Sequence, residues 1–102
     1  MEDKVLRKLF LGFIHIHILH HAKETPIFGA WMLEELKHHG YNIGPGTLYP
    51  ILHSMESDGL LTREDRNVEG KIRKYYSITE KGTHILLEAQ TKAYELFKEI
   101  KD

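Results

Sequence analysis

Apolar positions recur at helical spacing through most of this chain and at strand-like spacing in one stretch. The sharpest stripe is Leu48, Ile51, Leu52 and Met55, at i, i+3, i+4 and i+7, which predicts a short helix with that side turned to a core. Its other side carries Pro50, His53, Ser54 and Ser57, flanked by Thr47 and Tyr49, and is small, hydrogen-bonding and nearly uncharged. Such a face suits a DNA major groove, where side chains read base-edge donors and acceptors at close range. Taken alone, the stripe describes an ordinary amphipathic surface helix better. Asp58-Gly59 ends it with a residue that tolerates a left-handed backbone.

Strand character follows at 60–66 and 72–78, separated by a turn at 67–70. In the second strand Ile72, Tyr76 and Ile78 share one face and Arg73, Tyr75 and Ser77 the other. Arg63, Arg66, Lys71, Arg73 and Lys74 make this hairpin basic against Glu64, Asp65 and Glu69. A basic hairpin after a groove-sized helix is how a wing reaches the phosphates beside the groove; a charged edge that resists aggregation is the plainer reading, and the two coexist.

Three more helices frame this centre. From about residue 3 to 22, the apolar side chains Val5, Leu6, Leu9, Phe10, Leu11, Phe13, Ile14, Ile16, Ile18 and Leu19 cover too much of the circumference for one-sided packing, which predicts contact with a partner chain as well. A helix over 27–39 has the core stripe Gly29, Met32, Leu33 and Leu36, with Trp31 roughly opposite, against a neighbouring element, a subunit or a ligand. The last helix starts near Thr79, an acceptable N-cap, and carries Leu86, Ala89, Ala93, Leu96, Phe97 and Ile100 on one side. That stripe outruns the needs of the chain's own core and predicts a dimerisation arm.

The segment Gly46-Thr47-Leu48-Tyr49-Pro50, with Leu52, Met55-Glu56, Asp58-Gly59-Leu60 and then Arg73-Lys74-Tyr75-Tyr76-Ser77-Ile78-Thr79-Glu80-Lys81-Gly82, resembles the signature of the PadR-type transcriptional regulators. His39-Gly40-Tyr41 before it matches one form of that family, and the resemblance runs from about Phe28 to Gly82. Gly44 departs from it, standing where the family often has Ser, so the helix loses a side-chain cap and starts either at Pro45 or after Thr47. The resemblance implies a mainly α fold with a small antiparallel β-hairpin: a winged helix-turn-helix with three helices, two strands and a final helix. Residues 1–82 would form the DNA-binding domain and 83–102 a dimerisation helix. The implied function is a homodimeric regulator, most often a repressor, on a palindromic operator of double-stranded DNA. Thr47, Tyr49, Pro50, His53 and Ser54 would face bases or backbone, and Lys71, Arg73 and Lys74 phosphates, with Arg73 alternatively bracing the wing. A small aromatic effector would sit near the dimer interface among Trp31, Phe10, Phe13 and Phe97.

Composition narrows the alternatives. The 102 residues, 41% hydrophobic and 28% charged, suit one domain of ordinary globular class. A net charge of −1 requires any DNA contact to come from a local basic patch, with Glu34, Glu35, Glu80, Glu88, Glu95 and Glu99 kept elsewhere. Zero cysteines exclude disulfides and thiolate metal sites. No apolar run is long enough to span a bilayer, no signal-peptide layout is present, and a cytoplasmic location is expected. No nucleophile–base–orienter set or phosphate-cradling loop points to an enzyme, and no cofactor is called for.

The eight histidines remain. His15, His17, His20 and His21 crowd the first helix, and His17 and His21 stand at i, i+4, a spacing that lets two imidazoles share a metal. No carboxylate or cysteine in the pattern completes a ligand set, so the plain reading is a partly exposed face or subunit contact, with a pH-sensitive interface as another. A ligand- or metal-sensing module in which DNA binding is secondary is the alternative these histidines and Trp31 support.

Overall fold

The computed structural model describes residues 3–101, so the outer limits of the two expected domains, residues 1 and 102, lie outside it. The order of elements is α1 (Lys4–Glu24), β1 (Ile27–Phe28), α2 (Gly29–His38), α3 (Pro45–Ser57), β2 (Leu61–Val68), β3 (Lys71–Ile78) and α4 (Glu80–Ile100). Asp3 begins α1 by accepting from the Val5 amide at 2.7 Å, satisfying one of the donors a helix start leaves unpaired. Thr79 does the same for α4 through the Gly82 amide at 2.9 Å.

Two expectations change in the structure. Ile27 and Phe28, expected in the second helix, form a short strand antiparallel to β3, with Ile27 opposite Tyr76 and Phe28 opposite Tyr75. The hairpin is therefore the larger part of a three-stranded sheet in the order β1-β3-β2. A two-residue strand has no periodicity to read, and only its partner β3 makes it one. The turn also tightens from four residues to two: Val68 pairs with Lys71, leaving Glu69 and Gly70 at φ 53° and 84°. Positive φ at both positions matches the twist of the flanking strands, and Gly70 takes it without strain. The Asn67 carboxamide accepts from the Gly70 amide at 2.9 Å and holds the turn.

The start of α3 is settled at Pro45, its first residue, where a missing N–H costs nothing. Pro50 consequently lies inside the helix and has no amide to offer the Gly46 carbonyl, a loss that falls at an exposed residue.

One core joins all these elements. Ile14, Ile18, Leu19 and Ala22 of α1 meet Met32 and Leu36 of α2, Leu48, Leu52 and Met55 of α3, and Ile27, Leu61 and Tyr76 of the sheet. The large aliphatic members each contribute roughly 1.5–3 kcal/mol. Met32 and Leu36 of α2 and Leu48, Leu52 and Met55 of α3 are buried, with Leu33 and Ile51 partly so, and α3 is thereby fixed with its polar face outward.

α4 is anchored through its first half, where Leu86 packs against the core and the helix start is bonded to the link before β2. The Thr79 hydroxyl donates to the Gly59 carbonyl at 2.6 Å, the Thr79 amide to Leu60 at 3.0 Å, and the Lys81 ammonium to the Asp58 carbonyl at 2.8 Å. Gly82 lies directly on the Leu60 carbonyl and the Ile78 side chain, with no room for a Cβ. Beyond Ala89 the helix is exposed and projects, which gives extents of 53 × 35 × 21 Å and a radius of gyration of 14.6 Å. About 13 Å is typical of a compact chain this long. Gly82→Ala should lower stability by about 1–3 kcal/mol through overpacking, measured by urea unfolding at fixed protein concentration; an unchanged midpoint would contradict the tight joint.

Candidate nucleic-acid interface

The core that buries Leu48, Leu52 and Met55 leaves Tyr49, Pro50, His53 and Ser54 exposed on α3. The hairpin runs past this helix, and the space between them is an open groove of about 720 Å³. Phe28, Gly29 and Ala30 border it at the start of α2, Tyr49, Pro50, Leu52 and His53 along α3, and Arg63, Lys71, Ile72, Arg73, Lys74 and Tyr76 along the wing. Tyr76 sits at its base, where burial raises its hydroxyl pKa and keeps it protonated.

Of the residues singled out in the sequence, Tyr49, Pro50, His53, Lys71, Arg73 and Lys74 line this one groove. Thr47 is half-buried and Ser54 exposed, and neither is part of its wall. Ile72 shares a strand face with Tyr76 but not its burial. It is 65% exposed, because it stands at the wing tip beside the Glu69–Gly70 turn, before β3 reaches the helices that cover Tyr76. Arg63, Phe28 and Ala30 complete the groove without having been chosen. Arg63 carried a visible signal as one of the wing cations, whereas Phe28 and Ala30 carried none until β1 existed.

The wing cations are not equivalent. Arg63 pairs with Asp65 at 3.2 Å and Arg66 with Glu64 at 2.7 Å, and Arg66 also lies 4.3 Å over the Tyr75 ring. Arg73 stacks 4.1 Å over Phe28, a cation–π contact that braces the base of the wing while leaving it on the groove wall. Among the described residues, neither Lys71 nor Lys74 has a carboxylate within ion-pair distance, and no carboxylate lines the groove. A chain of net charge −1 thus keeps a locally positive cleft.

The four aromatic positions expected at an effector site fall in different places. Phe10 and Phe13 are neighbours on α1, with ring centroids 6.5 Å apart, and Phe10 also meets Tyr41 edge-on at 5.8 Å. Trp31 is 40% exposed and packs its ring 5.3 Å from His21, some three helical turns further along α1. Phe97, 60% exposed, is on the projecting half of α4. Between Phe10 and Trp31 runs a row of rings: His17 lies 5.5 Å from Tyr41, 4.5 Å from His39 and 6.4 Å from His21. Burial lowers the pKa of both His17 and His21, reinforced for His17 by the neighbouring imidazole of His39 and opposed for His21 by Glu35. Glu35 is held below the usual carboxylate range mainly by its hydrogen bond with His39.

An α3 helix with a short polar face, a basic β-wing beside it and a shared groove between them, all on a helical base, define a winged-helix DNA-binding transcription regulator. The chain belongs to the PadR-like family of transcriptional regulators, whose family model matches residues 18–88. It is 43% identical over 95 residues to the transcriptional regulator Rv3488 of Mycobacterium tuberculosis, covering 93% of this chain and 89% of that protein. A PadR family transcriptional regulator from Eggerthella lenta is 32% identical, with a TM-score of 0.82 over 94% of this chain and 85% of its own. A PadR-like regulator from Bacillus cereus superposes with the same TM-score of 0.82 at 25% identity, over 91% and 92% of the two chains. Proteins of this family regulate transcription through DNA and are not enzymes. Among the described residues no helix is long and apolar enough to cross a membrane.

Tyr49 reaches the groove because Gly29 has no side chain: a Cβ there would run into the Tyr49 ring. Gly29→Ala should push that ring aside and weaken DNA binding at least about threefold, with a smaller effect on folding because the displaced group is the exposed end of a side chain. Fluorescence anisotropy with labelled duplex and a parallel thermal melt measure the two; DNA affinity equal to wild type would show that the Tyr49 position is immaterial.

Proposed function

We propose that this chain is a repressor that binds a palindromic operator as a twofold homodimer and is released by a small aromatic effector. The observation that carries the reading is the groove itself, with Tyr49 and His53 on one wall and Lys71, Arg73 and Lys74 on the other. α3 enters the major groove with Tyr49, Pro50, His53 and Ser54 turned to the bases and Thr47 to the adjacent backbone. Lys71 and Lys74 hold phosphates, and Arg73 divides its role between phosphate and the Phe28 ring. A twofold arrangement sets the two reading helices roughly 34 Å apart, one turn of the duplex.

Support for the dimer comes from apolar surface left uncovered at both ends of the chain. Val5, Leu6, Leu9 and Phe13 of α1 and Leu96, Phe97 and Ile100 of α4 are exposed. Residues 83–102 serve as the pairing arm and 1–82 as the reading domain. Phe10 and Phe13 of one subunit, Phe97 from the arms and Trp31 line the effector site, in keeping with the apolar character of such pockets.

Wing and helix variants separate the two kinds of contact. Lys71→Ala and Lys74→Ala should weaken operator and random DNA alike and reduce the salt dependence by about one phosphate per subunit. His53→Ala should cost about 1–3 kcal/mol on the operator and much less on random sequence, because base-edge contacts supply discrimination. Titrations of both duplexes at several salt concentrations decide it; wing variants that change sequence preference while His53→Ala weakens all DNA equally would reverse the assignment.

Removing the chain after Ala89 takes away Leu96, Phe97 and Ile100, each worth about 1.5–3 kcal/mol if buried in the pair. The shortened protein should sediment as a monomer or fail to stay in solution. A shortened chain that remains a dimer would overturn the pairing role of α4.

A further inference from the structure

Outside the DNA groove, four side chains converge where α1 crosses the end of α2. His17 and His21 are one turn apart on α1, Glu35 is at the end of the second turn of α2, and His39 follows its last residue. One ring nitrogen from each of His17, His21 and His39 lies within 4.8 Å of the others. The Glu35 carboxylate lies beside two of them, with Oε2 3.0 Å from His39 Nε2 and 3.3 Å from His21 Nε2, and can turn in as a fourth ligand. His17, His21 and Glu35 are half-buried, and His39 closes the exposed side.

We propose that His17, His21, His39 and Glu35 form a binding site for a divalent transition-metal ion of the zinc, cobalt or nickel class.

The donor chemistry selects that class. Three imidazoles and one carboxylate suit these borderline ions, whereas magnesium and calcium need an all-oxygen set and copper(I) favours sulfur. Metal–nitrogen bonds of about 2.0–2.1 Å in a tetrahedral site bring ligand atoms to roughly 3.4 Å from one another, so the three rings close in by at most about 1.4 Å, a movement within side-chain rotation. Ligation needs neutral imidazole, and the burial of His17 and His21 already favours that form. The i, i+4 pair supplies two ligands from one rigid helix, and the other two come from a second element, so the ion would tie α1 to α2. Gly29, under Tyr49, is at the opposite end of that same α2.

A second grouping, His20, His21 and Glu24, overlaps the first at His21. His20 and Glu24 are exposed on a single helix at 3.8 Å, an ordinary surface pair, so His20 serves as the control. Ion binding belongs to this cluster alone and does not rest on the reading of the DNA groove, so the two stand or fall separately.

The test uses the full chain, free of any affinity tag and stripped with EDTA. Titration with Co2+ should give a saturable visible ligand-field spectrum of tetrahedral type at one ion per chain. Zn2+ should abolish that spectrum, bind at the same stoichiometry in calorimetry and raise the melting temperature. His17→Ala and His39→Ala should weaken Zn2+ binding at least about tenfold and Glu35→Gln should weaken it measurably, while His20→Ala leaves it unchanged. Far-UV circular dichroism of each metal-free variant establishes that it folds. Absence of saturable binding to the wild-type chain overturns the proposal without reference to any variant. So does wild-type affinity in a folded His39→Ala chain, or loss of binding in His20→Ala.

Discussion

The seating of Gly82 on the Leu60 carbonyl fixes the start of α4 against the link between the reading helix and the wing. Leu60 is the link between the end of α3 and the first wing strand, and Gly82 is in the first turn of α4. Their backbones approach so closely that Thr79 and Lys81 can bond the carbonyls of Gly59, Leu60 and Asp58 around them. The orientation of the reading helix, the root of the wing and the direction of the projecting helix are therefore one geometric decision. The stretch from Thr79 to Gly82 accordingly works as a joint.

Above that joint, the groove separates support from contact. Surface ion pairs such as Arg63–Asp65 and Arg66–Glu64 are worth at most about 1 kcal/mol each in stability, yet they cancel two wing charges locally. Attraction for a phosphate backbone then falls to Lys71 and Lys74, with Arg73 partly committed to the Phe28 ring. Tyr49, held over Gly29, occupies the opposite wall, so changes in the start of α2 are felt directly at the reading face.

α1 divides lengthwise between two environments. Its second half puts Ile14, Ile18, Leu19 and Ala22 into the core and presents His17 and His21 to the end of α2; its first half leaves Val5, Leu6 and Leu9 uncovered. The wide apolar belt of this helix is thus only partly used by its own subunit, and the remainder is what the proposed pairing would cover. The histidine cluster belongs to the second half, where α1 meets the end of α2.

Periodicity alone specified the four helices and two long strands, because a stripe at i, i+3, i+4 and i+7 or an alternating basic hairpin has one economical way to bury its apolar side. Tyr49, His53, Lys71 and Lys74 were legible for the same reason: they fall on the faces that such burial turns outward. Tertiary structure decided what no local pattern holds. Strand β1 exists only through pairing with β3; Ile72 is exposed because no helix extends far enough to cover it; and Gly29 matters through a ring twenty residues away. Most of all, the i, i+4 pair His17 and His21 had no further ligand facing both of them on its own helix, and the crossing of α1 over α2 brought Glu35 and His39 to it. Helical spacing records which side chains share a face of one element, whereas a site built across two elements depends on the angle at which they pack, and that angle is set by the core as a whole.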